Sequence, residues 1–324
     1  MSRLRLTVLL SCSVLLAACG GSGDGEPTGA GSSGSPRSVT VGVIPIADVA
    51  PLHLGVEQGF FEDRGLDVEL VPGQGGAALI PAVVSGEQDF AFSNTLSLMV
   101  AQEAGLPIRV VAPGNASTGD PEDDFACVLV PAGSPLQSLA DLPGTRVSTN
   151  TLNNINVAVI RDLVDRAGAD SSAIEFLEIA HPDVPQAVGS GQVDAAVAVE
   201  PFKTIALQQG GRCLSSVFAE AQDDPLLIGA YFTTAETAQS DPELVDAFVE
   251  GLRESFAYAT ENPDEARRIL GTYTQLSPEL TEAITLTGWP QDLETGSFEY
   301  MSEIGARYGS LTEPADLDAL LPAA

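Results

Sequence analysis

Basic residues are scarce in this chain. Its 324 residues include 14 lysines and arginines against 45 aspartates and glutamates, so the net charge is −31 at neutral pH. Lys203 is the single lysine. A surface of this charge repels nucleic acid and anionic lipid headgroups. The composition therefore excludes nucleic acid as a partner, and it excludes charge as the force that holds the protein at a membrane.

Histidine and the motifs of common enzymes are also scarce. The two histidines, His53 and His181, belong to no HExxH motif, and no GxSxG nucleophile motif occurs. The segment Gln74-Gly75-Gly76 lacks both the GxxxxGK(S/T) and the full GxGxxG spacing of phosphate-binding loops. Two internal cysteines without neighbouring histidines form no tetrahedral metal site. We therefore predict no catalytic residues, no metal and no cofactor.

The N-terminus carries an apolar run that is too short to span a bilayer stably. Arg3 and Arg5 precede this run, which covers residues 6–16, and Leu16-Ala17-Ala18-Cys19 follows as a small-residue cleavage site. The arrangement resembles the lipobox of bacterial lipoproteins. The resemblance implies that residues 1–18 are a signal peptide and that Cys19 is lipidated. A signal peptide without a lipid is the alternative.

The segment after the signal peptide has the composition of a tether. Residues 19–38 are mostly Gly, Ser, Pro, Ala and Thr, so they bury little apolar area and are expected to form a flexible linker. A tether is useful only if its end is held. We therefore expect an extracytoplasmic protein that is anchored to the cell membrane through the lipid on Cys19 alone.

Two cysteines remain after the predicted processing. Cys12 leaves with the signal peptide and Cys19 carries the lipid, so Cys127 and Cys213 form an even pair in an oxidising compartment. Each lies in an apolar stretch that is typical of a strand. The pattern favours a disulfide between them over two buried thiols.

The rest of the chain has the pattern of an α/β protein with two lobes. It is long enough for two separate cores, and short β-branched runs alternate with helical segments, which indicates βα units and mostly parallel sheets. We predict strands near residues 39–44, 66–71, 89–92, 108–112, 126–130, 146–149, 175–179, 195–199 and 213–217. The clearest helix covers residues 155–167, and we expect its polar face to meet water: Arg161, Asp162, Asp165 and Arg166.

Two acidic, loop-like segments flank the second series of βα units. They lie at residues 121–124 and 221–225, and a strand-like run and helices follow. This order indicates a domain inserted into another domain. We predict lobe I from residues 39–123 and 222–324, lobe II from residues 124–221, and a hinge where the chain crosses twice between them.

Several strings of this sequence resemble one family of ABC-transporter solute-binding proteins. The strings are Gly59-Phe60-Phe61-Glu62-Asp63-Arg64-Gly65-Leu66-Asp67-Val68, Ser85-Gly86-Glu87-Gln88-Asp89-Phe90, Ser138-Leu139-Ala140-Asp141-Leu142-Pro143-Gly144 and Val199-Glu200-Pro201. They are similar, in order, to the sulfonate, nitrate and thiamine-pyrimidine binding proteins, the NMT1/THI5-like family. The resemblance implies a type II periplasmic binding protein fold, with two α/β lobes, a two-strand hinge and a cleft that closes on a solute.

Ligand contacts are expected where parallel strands end and helices begin, because helix N-termini point free N–H groups into such a cleft. In lobe I this rule selects Asp48, His53, Gln74, Gly75, Asn94 and Thr95. In lobe II it selects Asn150, Asn153, His181 and Glu200. Helix capping is the alternative role for Asn94 and Asn150, an exposed first-turn position for His53, a loop position for His181, and an ion pair with Lys203 for Glu200.

The resemblance implies the extracellular component of an ABC importer, a monomer whose partners are a small-molecule ligand, a permease and its ATPase. No lysine or arginine falls among the candidate contacts, which favours a pyrimidine-like vitamin precursor over a sulfonate or nitrate. Two alternatives stay open. One is an enzyme of the same fold, similar to those of the menaquinone pathway or to a pyrimidine synthase, and the other is a ligand-sensing lipoprotein.

Overall fold

The computed structural model describes residues 35–274 and 276–322. The predicted signal peptide, Cys19 and most of the predicted linker therefore lie outside the described residues. The first strand begins at Arg37, so the last two residues assigned to the linker belong to the folded domain. In the described ranges, every helix falls short of the length and apolarity that crossing a bilayer requires.

The described chain contains alternating strands and helices. The strands are β1 (Arg37–Val43), β2 (Leu66–Pro72), β3 (Phe90–Asn94), β4 (Ile108–Pro113), β5 (Ala126–Val130), β6 (Arg146–Thr149), β7 (Glu175–Glu178), β8 (Ala195–Val199), β9 (Arg212–Ser215) and β10 (Gly229–Thr234). The helices are α1 (Ala50–Gln58), α2 (Gly76–Val84), α3 (Thr95–Glu103), α4 (Ile155–Arg166), α5 (Val184–Gly189), α6 (Phe202–Gln208), α7 (Ala235–Ser240), α8 (Pro242–Glu261), α9 (Pro263–Thr274), α10 (Pro278–Glu282), α11 (Thr295–Arg307) and α12 (Leu317–Leu320).

The strands form two separate five-stranded sheets. The first has the order β2-β1-β3-β10-β4, and the second has the order β7-β6-β8-β5-β9. All strands between residues 124 and 221 belong to the second sheet, and those before and after belong to the first. Two α/β lobes with a chain that leaves and returns confirm the predicted fold class.

Both sheets are mixed, whereas the sequence pattern indicated mostly parallel sheets. Strand β10 runs antiparallel to β3 and β4, and β5 runs antiparallel to β8 and β9. These are the strands that follow the two crossings. A chain that enters a sheet directly from the other lobe comes without the helical crossover that parallel pairing requires, so it pairs antiparallel.

Helix α8 shows how local sequence produces the core of lobe I. The side chain of Asp241 accepts a hydrogen bond from the backbone N–H of Leu244, and Pro242 occupies the first turn, where no donor is lost. Apolar side chains at helical spacing then face inward. Phe248 among them is fully buried and stacks on Phe90 of β3 with ring centroids 4.0 Å apart.

The two crossings are hydrogen-bonded to each other. The backbone N–H of Ser117 donates to the carbonyl of Leu226 at 2.9 Å, and Ala116 pairs with Leu227. Asp124, from the acidic segment before lobe II, is buried, and its carboxylate accepts from the backbone N–H groups of Thr118 at 2.9 Å and Ala219 at 3.2 Å. The hinge is therefore built from paired backbone, and one of its acids holds both crossings.

A third segment, residues 283–289, also contacts both lobes. The backbones of Gly288 and Ala116 exchange two hydrogen bonds, at 2.9 and 3.0 Å, next to the first crossing. At its other end, the backbone N–H of Thr285 donates to the Glu200 carboxylate of lobe II at 3.3 Å. The sequence pattern did not indicate this tie, because the segment has no periodicity of its own.

One part of the polar face of helix α4, which we expected to be exposed to water, is buried. Asp162 is only 2% exposed, and its carboxylate accepts hydrogen bonds from the Tyr300 hydroxyl at 2.9 Å and from Arg307 at 3.0 Å. Both partners come from α11, which covers this face. The prediction for Asp162 was therefore wrong. A polar face of a helix can be buried when a neighbouring helix supplies donors or opposite charges to its side chains.

Cys127 of β5 and Cys213 of β9 are joined by a disulfide on adjacent strands of lobe II, with Cα atoms 5.7 Å apart. We expect the exported protein to yield one cross-linked peptide pair and no alkylated cysteine at these positions when it is digested without reduction. Reduction should lower the free energy of unfolding by about 2–4 kcal/mol, because the bond closes a long loop. Mass spectrometry that finds both thiols free would contradict the pairing.

Candidate functional site

A small cavity of about 40 Å³ lies where the two lobes meet. Its lining combines polar groups at strand ends and helix starts with apolar side chains from both lobes. The polar lining residues are Asp48, Asn94, Asn150, Asn154, Asn156 and His181, together with the backbone of Gly76. Because both sheets contribute, a solute held here would contact both lobes at once.

Three helix N-termini surround the cavity. Asn94 caps α3 by accepting from the backbone N–H of Ser97 at 2.9 Å, and Asn154 caps α4 by accepting from that of Asn156 at 3.1 Å. Helix α2 begins at Gly76 without a side-chain cap. A Cβ atom on Gly76 would lie 2.6 Å from the Cα of Ser93, so only glycine lets this helix start so close to β3. The three positive helix ends favour electron-rich groups of a ligand.

The asparagines of lobe II form one network. The side-chain oxygen of Asn150 accepts hydrogen bonds from the amide groups of Asn154 at 2.9 Å and Asn156 at 3.0 Å. Asn154 also donates to the Thr151 hydroxyl, and Asn156 donates to the Thr149 hydroxyl. With its oxygen engaged in this way, Asn150 turns its NH₂ group toward Gly75 of lobe I, on the other side of the cleft.

Asp48 is the acidic group of the cavity. It is 4% exposed, and its Oδ1 atom has no hydrogen-bond partner. Burial raises the pKa of Asp48 to about 7, and the charge of Asp124 acts in the same direction. The backbone is fixed, because the Trp289 indole donates to the Asp48 carbonyl at 3.1 Å. Contact with the Asn115 side chain lowers the pKa in part, so only one carboxyl oxygen, Oδ1, is held beside the cavity without a partner.

His181 closes the cavity on the lobe II side and joins it to a second one of about 190 Å³. Burial lowers the pKa of His181 to about 4, so its imidazole is neutral at physiological pH. Its Nδ1 atom has no hydrogen-bond partner. The ring lies parallel to that of Phe202, with centroids 6.4 Å apart. Gln74 of lobe I lines the second cavity.

The apolar wall of the central cavity combines three phenylalanine rings with aliphatic side chains of isoleucine and valine. Phe125 and Phe218 come from the two ends of lobe II and stack with centroids 6.0 Å apart, and Phe92 of β3 lies on the lobe I side. Flat apolar walls with polar groups at the edges suit a planar solute.

The lobes are in contact around this site. The backbone N–H of Ala47 in lobe I donates to the carbonyl of Glu200 in lobe II at 3.1 Å. At the other side, a Cβ atom on Gly75 would lie 3.3 Å from the Thr151 methyl group. Ligand pockets usually measure about 300–1,000 Å³, so the conformation described is a closed one, and the lobes must part for a solute to enter.

Four candidate residues from the sequence meet at the central cavity: Asp48, Asn94, Asn150 and His181. Gln74 lines the adjoining cavity, and Gly75 lies at the contact between the lobes. Thr95 is fully buried in the first turn of α3, and its hydroxyl has no partner. The placement of these residues agrees with the rule that strand ends and helix starts face the cleft.

His53 is not among the residues that line either cavity. It lies in the middle of α1, and its ring stacks on that of Tyr273 in α9 with centroids 3.8 Å apart. Tyr273 in turn donates to the Ile46 carbonyl at 2.9 Å. Burial lowers the pKa of His53 to about 4. The structure therefore places His53 behind the site, where it packs between helices.

Glu200 is also turned away from the cavity. It is fully buried, and its carboxylate accepts from the backbone N–H and hydroxyl of Thr204 at 3.1 and 2.9 Å, while Lys203 lies 3.4 Å away. Burial raises the pKa of Glu200, and the Lys203 ammonium group offsets part of the rise. Its carbonyl accepts from Ala47 and its carboxylate accepts from the backbone N–H of Thr285, so both contact lobe I, but Glu200 does not line the cavity. The structure thus supports the ion-pair alternative over a ligand contact.

Asn153 is exposed and lines neither cavity, and its backbone has a φ of 53°. Its neighbour Asn154 takes the position at the cavity, together with Asn156. Sequence reasoning missed Asn156, whereas the strand-end rule also covers Asn154. Asn154 had a signal, since it directly precedes the clearest helix of the chain and asparagine is a preferred cap.

A larger hollow lies elsewhere. It is an open groove of about 920 Å³ beside the crossings, lined in part by Thr118, Asp123, Arg267 and the segment 282–290. It contains no buried polar side-chain atom that lacks a partner and none of the three helix N-termini. The smaller cavity between the lobes is therefore the better candidate site.

Comparison with known proteins shows the family to which the chain is related. The family model described as NMT1/THI5 like matches residues 46–266. The formylaminopyrimidine-binding protein of Halalkalibacterium halodurans is 24% identical over 68% of this chain and 65% of its own length, just under two thirds. The 4-amino-5-hydroxymethyl-2-methylpyrimidine phosphate synthase of Legionella pneumophila is 23% identical over 71% of this chain and 70% of its own length.

Solved structures show the same fold. The alkanesulfonate-binding protein SsuA of Xanthomonas axonopodis, bound to MOPS, superposes with a TM-score of 0.73 at 18% identity, over 90% of this chain and all of that one. The periplasmic aliphatic sulphonate binding protein SsuA of Escherichia coli gives a TM-score of 0.72 at 18% identity, over 89% of this chain and 93% of that one. At this identity the likeness concerns the fold alone.

Proposed function

Because the chain belongs to the NMT1/THI5-like family, we propose that it is the solute-binding component of an ABC importer. The observation that carries the proposal is the cavity at which both lobes present polar groups and helix N-termini. Binding energy divided between two lobes favours the closed state only when one solute engages both. A permease that recognises the closed state would then distinguish loaded from empty protein.

The chemistry of the cavity favours a small nitrogen heterocycle as the solute. Its lining combines one carboxyl group, four asparagines, a neutral histidine and three phenylalanine rings, and it includes no lysine or arginine. A sulfonate or nitrate would depend on helix N-termini and neutral side-chain donors alone and would meet Asp48 at close range. The name of the Halalkalibacterium relative agrees with this preference, and we propose a pyrimidine-like solute.

A synthase of the same fold is the alternative that similarity supports, through the Legionella relative. A binding protein returns its solute unchanged, whereas a synthase converts it. We therefore expect aminopyrimidines incubated with the protein to be recovered intact by mass spectrometry. A new product that depends on the protein would favour the synthase.

Closure of the lobes on a solute is the direct test of the proposal. A screen of aminopyrimidines, sulfonates, nitrate and flavins by thermal shift should first identify a stabilising solute, because saturation at about 1,000 times Kd adds about 4 kcal/mol. The radius of gyration from solution X-ray scattering should then fall when that solute is added. Unchanged dimensions at saturation would contradict the closure mechanism.

Two variants test the site, one from each lobe. Asn94→Ala and Asn150→Ala should each weaken binding of the screened solute by about 1–3 kcal/mol, because a polar partner is left buried without its hydrogen bond. Asn153→Gly is the matched control: it removes an exposed amide from the same loop and tolerates the positive φ. Calorimetric affinities equal to that of the parent protein in both alanine variants would contradict the assignment.

We propose that the protein acts outside the cytoplasm, tethered by a lipid on Cys19, with a permease and its ATPase as partners. Processing at the lipobox-like segment should leave the parent protein in the membrane fraction. The Cys19→Ser variant should appear in the soluble fraction or retain its signal peptide. If this variant is processed and stays membrane-bound at the parent level, the lipid is not the anchor.

A further inference from the structure

The carboxyl group of Asp48 is held at the cavity without a partner for Oδ1. Asp48 lies in a 3₁₀ turn, residues 47–49. Two hydrogen bonds fix the backbone of this turn: the Ala47 N–H donates to the Glu200 carbonyl, and the Trp289 indole donates to the Asp48 carbonyl. The backbone that carries the Asp48 side chain is therefore fixed beside the cavity. A buried polar group in such a place needs a partner from the ligand.

The charged and titratable groups around Asp48 do not neutralise it. The charge of Asp124 raises the pKa of Asp48, whereas contact with the Asn115 side chain lowers it. Tyr231 of β10 and Tyr273 of α9 are buried with raised pKa values, so they stay neutral and supply no positive charge. His181, on the opposite wall, is kept neutral by burial.

The single lysine does not serve as a counter-ion for Asp48. The Lys203 ammonium group lies 3.4 Å from Glu200 and also donates to the Asp124 carbonyl and the Thr285 hydroxyl. No arginine or lysine lines the cavity. The proton or positive charge that Asp48 requires must therefore come from water or from the solute.

We propose that Asp48 selects solutes with an amidine-type edge, an exocyclic N–H next to a protonatable ring nitrogen, and that the complex keeps one proton shared between that edge and the Asp48 carboxyl. This rests on the proposed function and names the chemical class of its solute. Two hydrogen bonds form: the exocyclic N–H donates to one carboxyl oxygen, and the shared proton lies between the other oxygen and the ring nitrogen.

The complex of Asp48 and the ring holds the same number of protons in both of its protonation states. A neutral carboxyl with a neutral ring and a carboxylate with a protonated ring each hold one proton. On the far side of the cavity, the NH₂ group of Asn150 and the starts of α3 and α4 offer donors to a ring acceptor. A sulfonate has no N–H edge and would leave Asp48 unpaired.

A shared proton makes binding depend on pH in a defined way. Above about pH 7, where free Asp48 loses its proton, the complex must take one up, so Kd should rise about tenfold per pH unit. Below the pKa of the free ring, solute and carboxyl both carry a proton and one must leave, so Kd should rise again. Affinity is therefore greatest between the ring pKa and about 7.

Isothermal titration calorimetry with 4-aminopyrimidine and 2-aminopyrimidine tests this inference. Titrations at about pH 8.5 in two buffers with different ionisation heats give the number of protons taken up. We expect the parent protein to take up about one proton on binding and Asp48→Asn to take up none. An asparagine amide pairs with the same edge of the neutral ring, as asparagine does with adenine, so the variant needs no shared proton. The affinity of the variant should stay constant above about pH 7, where the affinity of the parent falls.

Asp63→Asn is the matched control, since it removes one exposed carboxyl group from outside the cavity. It should show the proton uptake of the parent. Zero uptake in the parent, or equal uptake in Asp48→Asn, would overturn the role of Asp48. Failure of both aminopyrimidines to bind between about pH 5 and 9 would overturn the solute class. Closure on another screened solute would still support the importer component.

Discussion

Replacing Lys203 by methionine is expected to lower the free energy of unfolding by about 3–5 kcal/mol at neutral pH, because it leaves the fully buried Glu200 carboxylate without its cation. Methionine keeps most of the apolar stem, so packing changes little. The loss also reaches the segment 283–289, since the ammonium group donates to the Thr285 hydroxyl. Urea unfolding followed by circular dichroism gives the free energy.

The loss should depend on pH in a way that identifies its cause. Burial already raises the pKa of Glu200 in the folded protein, and removing Lys203 raises it further. A group with a raised folded pKa loses stability as pH rises from the usual carboxyl range through the folded pKa. The deficit of Lys203→Met should thus be small near pH 4 and grow toward about pH 7.

A matched partner completes this experiment. In Lys203→Met/Glu200→Gln the uncharged amide remains beside Thr204 and Thr285, so the double variant should be more stable than the sum of single losses predicts. If Lys203→Met lowers the free energy of unfolding by less than about 1 kcal/mol at neutral pH, the ion pair contributes little to stability.

Much of the fold could be predicted because its signals are local. Strands β5, β6 and β8 have the limits that their apolar runs indicate, and α4 begins where Asn154 caps it. The acidic segments and the strand-like run after them also predicted that the chain leaves one lobe and returns. These features depend on neighbours in sequence, which periodicity and capping rules describe well.

The errors concern side chains whose partners lie far along the chain. His53 meets Tyr273, Glu200 meets Thr285, and both partners belong to the C-terminal region. The position of a residue at a strand end predicts that it lies near the cleft, but it does not predict the direction of its side chain. That direction was decided by segments without periodicity, such as residues 283–289, which no local pattern can place.

For Asp48 the sequence predicted the position of the residue near the cleft, but only the structure shows the chemical surroundings of its carboxyl group. The sequence placed an acid at the end of β1, and only the packing around it shows that Oδ1 has no partner and that an acid and two tyrosines are its neighbours. A buried charge without compensation destabilises the folded state. The free protein should therefore carry a measurable cost at this residue.

Asp48→Asn is expected to stabilise the ligand-free protein at high pH and to leave its stability nearly unchanged at low pH. Burial raises the pKa of Asp48 from 3.8 to about 7. A carboxyl with a raised folded pKa loses stability as pH rises from its unfolded pKa through the folded one, so the cost is complete above about pH 7. Relieving it should add about 2–4 kcal/mol at about pH 8 and little at about pH 4.

Urea unfolding of the parent protein, Asp48→Asn and Asp63→Asn at a series of pH values distinguishes local from general effects. Asp63 is exposed, so its variant reports only the reduction of the large net negative charge. We expect the curves of the parent and Asp48→Asn to separate between about pH 4 and 7, while Asp63→Asn follows the parent within about 0.5 kcal/mol. If Asp48→Asn gains no more than the control at about pH 8, the carboxyl group is already compensated in the free protein, and its need for a partner from the solute disappears.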